Sequence, residues 1–329
     1  MGRTALTCLR RDRYPQGDID RTSDSEEYVP MHIGIAVDGS SQAKAGVEFV
    51  ASLPLPGRDH VTVISVAEPV MLLTAAQFGH VPSVVGFLGD LAEMTKDRAD
   101  RVAEHAVERL IGLPCPVTAT VLEGHPIETL ERFTVEAGLD LLVVGPRGRG
   151  RLGSILLGSV SQALLHSMPT SILVARPPTR TPQRIVLAVD GSPLSLDAAR
   201  VLAWFPLPAE ADIRVVVSVT SWTEEYGSIR AGNYLELLAA ERAHAAEIAE
   251  RAIDILAEHG RHAAPMIRDG DPKREILDAA REIDADLIVT GARGMGGFTG
   301  LVLGSVSRGI SKAASCSTLV VAHRVAEST

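Results

Sequence analysis

Short runs of consecutive apolar residues alternate along this chain with longer segments in which apolar residues recur every three or four positions. The short runs are typical of strands that are buried on both faces of a parallel sheet, and the longer segments are typical of amphipathic helices. Strand and helix alternate until a fifth strand, and the whole series then occurs a second time. The pattern therefore predicts an α/β protein of two tandem doubly wound domains, each a five-stranded parallel sheet flanked by helices.

The predicted elements take corresponding positions in the two series. In the first series, strands are predicted at 32–37, 61–66, 117–122, 140–145 and 171–175, and helices at 41–52, 87–111, 126–138 and 159–167. In the second series, strands are predicted at 184–189, 213–219, 263–268, 286–291 and 317–322, and helices at 193–203, 233–259, 272–283 and 305–314.

The two series are copies of one sequence. A first match joins HIGIAVDGSSQAKAGVEFVASLPLP, from His32, to RIVLAVDGSPLSLDAARVLAWFPLP, from Arg184. A second match joins LLVVGPRGRG, from Leu141, to LIVTGARGMG, from Leu287. Because each copy has about 150 residues, which is a common domain size, the repeat indicates a domain duplication and not a solenoid.

The remaining segments differ from the copies in composition. Residues 1–30 are rich in Arg, Asp, Ser and Glu, which predicts a disordered N-terminal extension. Residues 177–183 contain three prolines, which cannot extend a strand ladder or a helix interior, and are predicted to be the linker. The domains are therefore predicted at 31–176 and 184–324.

Composition and charge narrow the function classes. The net charge of -9 removes the electrostatic basis for general nucleic-acid binding. No apolar run reaches the roughly 20 residues of a membrane span, and the N-terminus has no apolar core of a secretory signal, so we expect a cytoplasmic protein. The three cysteines have no paired-ligand spacing, which argues against a disulfide framework or a metal site.

An aspartate follows the first strand of each copy. Asp38 and Asp190 each precede Gly-Ser and the next predicted helix. Ligands of doubly wound sheets bind outside the carboxyl ends of the strands, so these carboxylates are candidate acceptors for the donors of a ribose or an adenine. Helix capping is the alternative interpretation, because Asp and Ser are both preferred at N-caps.

A glycine pattern follows the fourth strand of each copy. Gly145 and Gly148 are followed after nine residues by Gly158-Ser159, and the same spacing recurs from Gly291. Glycines let backbone amides approach a ligand closely, and a helix that begins at Gly-Ser presents free amides and its positive dipole end to a phosphate. The pattern therefore predicts a phosphate site in each copy. The arginine inside each loop is a further candidate, with a solvated surface side chain as the alternative.

Other nucleotide and catalytic motifs fit less well. Gly148-x-Gly150-x-x-Gly153 matches a dinucleotide fingerprint, but the second copy has Thr299 at the third glycine, and no acid ends the following strand. The chain contains no Gly-Lys-Ser/Thr and no Gly-x-Ser-x-Gly. Since no nucleophile is assembled with a base, no catalytic residue is predicted.

The aspartate after the first strand, combined with Gly-x2-Gly-x9-Gly-Ser after the fourth, resembles the ATP-binding class of the universal stress protein family over residues 31–323 as a tandem pair. The resemblance implies an adenine nucleotide alpha hydrolase-like fold and two ATP per chain, with or without Mg. In the first copy it implies nucleotide contacts from Ala36, Asp38, Val66, Val144, Gly145, Arg147, Gly148, Gly158, Ser159, Val160 and Ser161. In the second copy the matching residues are Ala188, Asp190, Val219, Thr290, Gly291, Arg293, Gly294, Gly304, Ser305, Val306 and Ser307.

Three functions are compatible with two such sites. The favoured one is a regulatory stress-response protein whose conformation or protein partner changes with ATP occupancy. The second is a slow ATP hydrolase or adenylating enzyme that uses the same pockets, although it needs a general base or acceptor site that the sequence does not offer. We therefore expect weak ATPase activity at most. The third is a structural pseudo-dimer with vestigial sites, which the intact motifs of both copies disfavour.

The last strand of each copy also predicts how the domains assemble. SILVAR at 171–176 and STLVVAH at 317–323 are predicted at sheet edges, where unpaired backbone groups accept another strand. Pairing the two edges with each other predicts a pseudo-twofold dimer within one chain. A further homodimer through the divergent segments 67–90 and 220–235 stays open.

Overall fold

The structure of the protein is a computed structural model, which describes the following residues: 30–68, 82–147, 157–167, 169–219, 231–294 and 303–322. The side chains of 82–88 and 231–235 are outside this description, as is the predicted N-terminal extension apart from Pro30. The described parts of residues 30–176 are called the first lobe below, and those of residues 184–322 the second lobe.

The first lobe alternates strands and helices in the predicted order. Its elements are β1 (His32–Val37), α1 (Ser41–Ser52), β2 (His60–Ala67), α2 (Pro82–Glu108), β3 (Val117–Glu123), α3 (Pro126–Glu136), β4 (Leu141–Val144), α4 (Ser159–Ser167) and β5 (Ser171–Val174).

The second lobe repeats this order. Its elements are β6 (Arg184–Ala188), α5 (Pro193–Trp204), β7 (Asp212–Val219), α6 (Ala231–Ala257), β8 (Ala263–Asp269), α7 (Pro272–Glu282), β9 (Leu287–Gly291), α8 (Ser305–Ala313) and β10 (Ser317–Val321). The predicted strands and helices are confirmed in both lobes. The largest difference in bounds is at α2, which begins at Pro82 and not at 87, as a proline in the first helical turn permits.

The strands form one sheet in the order β3-β2-β1-β4-β5-β10-β9-β6-β7-β8. Pairing within each lobe is parallel. The winding direction reverses between β1 and β4 in the first lobe, and between β6 and β9 in the second. A doubly wound sheet binds its ligands at this switch point, so the fold has one candidate site per lobe.

The two lobes meet where β5 and β10 pair in antiparallel fashion. Leu173 lies opposite Leu319, and Val174 lies opposite Thr318. This is the intrachain pairing of last strands that the sequence predicts. The two five-stranded sheets therefore continue into each other without an edge between them, and we call this boundary the seam.

Apolar side chains cover both faces of the sheet. On the face of α1, α2, α5 and α6, a single core runs through both lobes and includes Phe49 and its counterpart Phe205, each 1% exposed. On the opposite face, the lobes have separate cores under α3 and α4 and under α7 and α8. Full burial of one aromatic side chain contributes about 1.5 to 3 kcal/mol, so the shared core ties the lobes together.

The segment between the lobes makes polar contacts to both. Thr179 Oγ1 donates to Glu48 Oε2 at 2.8 Å, and Thr181 Oγ1 donates to the Ser52 carbonyl oxygen at 2.5 Å, both in α1. On the other side, Arg180 Nε donates to Asp286 Oδ1 at 2.7 Å. Within the described residues, no helix is long and apolar enough to cross a membrane.

Candidate functional site

A tight turn follows β1 and β6, the strands that flank the switch points. Asp38 Oδ1 accepts the backbone N–H of Ser40 at 2.9 Å, and Asp190 Oδ1 accepts that of Ser192 at 3.0 Å. The glycine between each pair has a φ of 79° or 83°, which side-chain-bearing residues rarely adopt. The Asp-Gly-Ser sequence therefore bends the chain sharply and holds the carboxylate at the carboxyl end of the strand.

Serines, and not the aspartates, cap the helices that follow. Ser40 Oγ accepts the Ala43 N–H at the start of α1, and Ser192 Oγ accepts the Ser195 N–H at the start of α5. The alternative interpretation of Asp38 as a helix cap thus applies to its neighbour Ser40. The role of the aspartates is to shape the turn, which leaves a nucleotide role open to them.

The glycine that ends or follows the fourth strand of each lobe lies against the first turn of α1 or α5. A Cβ on Gly145 would lie 2.5 Å from the carbonyl oxygen of Gln42, and a Cβ on Gly291 would lie 2.6 Å from that of Leu194. Both approaches are to backbone atoms, which cannot move away as a flexible side chain can. Packing alone therefore requires glycine at both positions, and it brings the glycine loop beside the aspartate turn.

The Gly-Ser pair at the end of each loop returns to the same strand end. The N–H of Gly158 donates to the Pro146 carbonyl oxygen at 2.7 Å, and the N–H of Gly304 donates to that of Ala292 at 2.8 Å. Two residues into each helix, a serine Oγ donates to the carbonyl oxygen of the strand-end glycine. The distances are 2.7 Å for Ser161 and 2.6 Å for Ser307. These bonds fix the first turns of α4 and α8 at the switch points.

In the second lobe the aspartate turn and the glycine loop touch. A Cβ on Gly294 would overlap Asp190 Oδ2, so the loop backbone passes directly over this carboxylate. The sequence places these two residues more than one hundred positions apart and predicts both as nucleotide contacts. In the first lobe Gly148 is outside the described residues, so the corresponding approach to Asp38 stays a prediction.

The start of α8 has the features of an anion site. Its N-cap is Gly304, which makes no side-chain cap hydrogen bond. The amides of its first turn therefore point outward next to an exposed Ser305 and a half-buried Val306. In the first lobe, Ser159 and Val160 have the same exposure at the start of α4.

The remaining predicted contacts lie at strand ends or inside the loops. Ala36, Ala188, Val144 and Thr290 occupy the ends of β1, β6, β4 and β9. Thr290 Oγ1 donates to the Gly291 carbonyl oxygen at 3.2 Å, so the second lobe has a hydroxyl where the first has a methyl. The loop arginines, Arg147 and Arg293, are both half-buried.

One predicted pair does not occupy equivalent positions. β1 pairs Ala36 with Ile64 and β6 pairs Ala188 with Val216, so Val66 corresponds to Ser218, one residue before Val219. Successive side chains of a strand face opposite sides of the sheet. Val66 accordingly packs with the core under α3 and α4, whereas Val219 is 5% exposed in the shared core of the other face.

Ser218, which the sequence motifs do not single out, occupies the position in β7 that corresponds to Val66. Its Oγ donates to the Gly270 carbonyl oxygen at 2.8 Å, beside the end of β8. Counting 152 residues without a gap from Val66, as from Asp38 to Asp190, would have found it in the sequence. The similar letters SVA and SVT favoured a shift by one residue.

The assembled groups suit a ligand that has both an anionic part and hydrogen-bond donors. They comprise backbone amides at a helix start, a loop arginine and a strand-end carboxylate. Within the described residues, no three His, Cys, Asp or Glu side chains form a group that could hold a metal ion. The hydroxyls of Ser161 and Ser307 donate to backbone carbonyls, which is a positioning role and not that of a nucleophile.

The family model and the curated relatives that match this chain belong to one family. The chain matches the Universal stress protein family at residues 31–176 and again at 181–322. A universal stress protein of Mycolicibacterium smegmatis is 29% identical over 308 residues, which cover 88% of this chain and 96% of that protein. A universal stress protein of Mycobacterium tuberculosis is 27% identical over 314 residues, which cover 87% and 93%.

Solved structures of low sequence identity share the fold. A universal stress protein from Archaeoglobus fulgidus has a TM-score of 0.58 at 19% identity and covers 89% of this chain and 98% of its own. A functionally unknown protein from Pseudomonas aeruginosa has a TM-score of 0.56 at 16% identity, with coverage of 90% and 94%. Since the family is matched twice, and over both lobes, the chain belongs to the universal stress protein family as a tandem member.

Proposed function

We propose that this protein binds two ATP molecules, one in each lobe and with or without Mg, and acts in the cytoplasm as a regulatory protein of the stress response. Occupancy of the two sites changes its conformation or the protein partner that it binds. Membership of the family supports the stress-response role. The geometry at the switch points supports the nucleotide sites.

One observation carries the proposal. Asp190 and Gly294 come from loops far apart in the sequence, yet the glycine backbone lies so close to the carboxylate that a Cβ on Gly294 would displace Asp190 Oδ2. A close approach of this kind at a switch point is expected where loop backbone and carboxylate lie against the same ligand. The second lobe thus has both halves of the predicted site in one place.

The groups around Asp190 and Gly294 match the phosphates, the adenosine donors and the base of ATP in turn. The amides that begin α8 and the guanidinium of Arg293 match phosphate oxygens, which accept hydrogen bonds and carry negative charge. The carboxylate of Asp190 matches the hydroxyl or amino donors of the adenosine. The ends of β6 and β7, at Ala188 and Ser218, form the floor on which the base would lie.

The same geometry supports binding without rapid turnover. Each helix-start serine donates to the glycine carbonyl oxygen at its strand end, so its hydroxyl proton is already used in holding the loop. Hydrolysis needs a base that can take a proton from water or from a hydroxyl. A binding role asks only that the phosphate contacts be well placed.

The test is to identify and count the nucleotide that the purified chain carries. The protein is denatured, the released nucleotide is measured per chain, and ATP turnover by the native protein is followed in parallel. We expect close to two adenine nucleotide molecules per chain. We also expect the native protein to turn over ATP much more slowly than it releases bound nucleotide. A nucleotide-free protein that also fails to bind added ATP would refute the proposal, and multiple turnover would reassign it to an ATP hydrolase.

A further inference from the structure

The seam between the lobes has one polar side and one apolar side. Gly291 lies 146 residues after Gly145, and the same shift relates the residues at the two sides of the seam. The polar residues are Arg176, Ser311 and Thr318, which we call the seam cluster. Their counterparts, in the same order, are Ala322, Leu165 and Ile172. Three polar positions on one side are thus apolar on the other.

Each side chain of the seam cluster is buried and has an atom without a hydrogen-bond partner. Arg176 is 8% exposed, and Ser311 and Thr318 are 0% exposed. In the part of the chain that the structure describes, Arg176 Nη1, Ser311 Oγ and Thr318 Oγ1 lack a partner. Folded proteins leave few buried polar groups unpaired, so three of them at one place indicate a missing acceptor.

Backbone contacts bring these residues together. The N–H of Arg176 donates to Ser317 Oγ at 3.0 Å, and its Nη2 donates to the Ser311 carbonyl oxygen. Thr318 lies opposite Val174 in the seam. Because Arg176 is two residues beyond Val174, both it and Thr318 face the side of the sheet that carries α4 and α8. The counterparts Leu165 and Ile172 lie on the same face of the sheet, at the apolar side of the seam, and are 7% and 3% exposed.

Among the residues that the structure describes, no acidic side chain forms a salt bridge with Arg176. Burial lowers its pKa to about 10, and the positive charge of Arg147 acts in the same direction. The guanidinium is therefore still charged at neutral pH. Burial raises the pKa of the neighbouring Cys316 thiol to about 11, so that thiol is neutral and does not compensate. The guanidinium groups of Arg176 and Arg147 thus lie near enough to act on each other.

We propose that the seam cluster binds a phosphate group, once per chain. A guanidinium and two hydroxyls donate hydrogen bonds, and phosphate oxygens accept them, with charge pairing in addition. The phosphate is either inorganic phosphate or the terminal phosphate of a nucleotide in the first lobe, whose loop contains Arg147. The counterpart positions cannot bind it, because alanine, leucine and isoleucine side chains have no donors.

The test compares inorganic phosphate and ATP binding by the full-length, nucleotide-free chain and its variants. Arg176→Ala installs the counterpart residue and removes the charge. Ser311→Leu with Thr318→Ile installs the other two counterparts and keeps Arg176. The matched control is Lys312→Gln, which removes an exposed cation from the residue next to Ser311. Calorimetry at constant ionic strength measures each affinity.

We expect both seam variants to lose at least about tenfold in affinity for the phosphate group, with Lys312→Gln close to wild type. If inorganic phosphate still binds to the ATP-saturated chain in an Arg176-dependent way, the site takes free phosphate. If that signal disappears, and Arg176→Ala weakens ATP but not AMP at one site, the site takes the terminal phosphate of the nucleotide. Either result supports the proposal.

The proposal is overturned if both seam variants, folded by circular dichroism, bind inorganic phosphate, ATP and AMP with wild-type affinities. Should Arg176→Ala fail to fold, the double variant alone decides by the same criterion. Loss of the nucleotide function has a different signature, since the wild-type chain then binds no ATP while its Arg176-dependent response to inorganic phosphate remains.

Discussion

Asp38 and Ser40 have different roles in the turn that follows β1. Ser40 caps α1, whereas Asp38 accepts the Ser40 backbone N–H at the carboxyl end of β1. Asp38→Asn keeps an oxygen acceptor for that N–H and removes only the charge. We predict that it weakens ATP binding at the first site by at least tenfold, about 1.4 kcal/mol, as measured by calorimetry.

The control for this substitution is Ser40→Ala. Loss of the cap should lower the free energy of unfolding by about 0.5 to 2 kcal/mol and leave ATP affinity close to wild type. If Asp38→Asn lowers stability and leaves affinity unchanged, Asp38 is a structural residue of the turn and not a nucleotide contact.

Glycine is required at position 291 by packing, independently of any ligand. Because its Cβ would lie 2.6 Å from the Leu194 carbonyl oxygen, Gly291→Ala must push α5 away from β9. We predict a loss of about 1 to 3 kcal/mol in the free energy of unfolding, measured by denaturant titration. Gly89→Ala is the control, since nothing lies within 4 Å of its Cβ and it is in helix α2. That change should be neutral or stabilise by up to about 1 kcal/mol.

Asp286 acts at the scale of elements, because it holds the start of β6 beside the start of β9. Its Oδ2 accepts the N–H groups of Gln183 and Arg184, each at 3.0 Å, while Oδ1 accepts Arg180 Nε. Burial would raise the pKa of Asp286, but these hydrogen bonds and the charge of Arg180 outweigh it and hold the pKa below its usual value. The stability that it contributes is therefore present above about pH 4 and lost as the pH falls further.

We predict that Asp286→Asn lowers the free energy of unfolding at pH 7 by roughly 1.5 to 3 kcal/mol, because charged hydrogen bonds are lost. The difference from wild type should shrink below about pH 4, where the wild-type carboxyl takes up a proton. Asp284→Asn is the control, since that side chain is 83% exposed and the change should be worth less than about 0.5 kcal/mol. An Asp286→Asn deficit that does not vary with pH would contradict this account.

Element types were predictable because each strand and helix has a clear apolar period. β1, α1, β3 and α4 begin at the predicted residues. The register within a strand was harder, since Val66 and Val219 both follow a serine but face opposite sides of the sheet. Pairing with β1 and β6 fixes the register, and pairing is a tertiary property that the ungapped offset of 152 residues reports only indirectly.

The candidate site was predictable in part, because glycine and aspartate at a strand end indicate a tight turn and a close backbone approach. The close approach of Gly294 to Asp190 follows from a pattern that the sequence contains twice. The seam cluster could not have been predicted in this way. Arg176 precedes Ser311 and Thr318 by more than one hundred residues and meets them only because β5 and β10 pair.

For the whole molecule, the seam is the feature that makes two lobes into one body. Val174→Pro and Val320→Pro each remove a backbone donor from the strands that meet there. We predict that each variant separates the lobes, seen as a larger radius of gyration in small-angle scattering. The matched changes to alanine keep the donor and should leave the profile unchanged. Wild-type scattering and thermal unfolding in both proline variants would contradict the role of the seam.

The most direct test of two nucleotide sites, one per lobe, is calorimetric titration of ATP into Gly294→Val, with the chain first freed of nucleotide. A β-branched side chain at this position would overlap the Asp190 carboxylate, and we expect it to block the proposed phosphate position as well. We predict a fall from two sites to one, and the same fall for Gly148→Val, which alters the first lobe. Two undiminished sites in either variant would contradict the account.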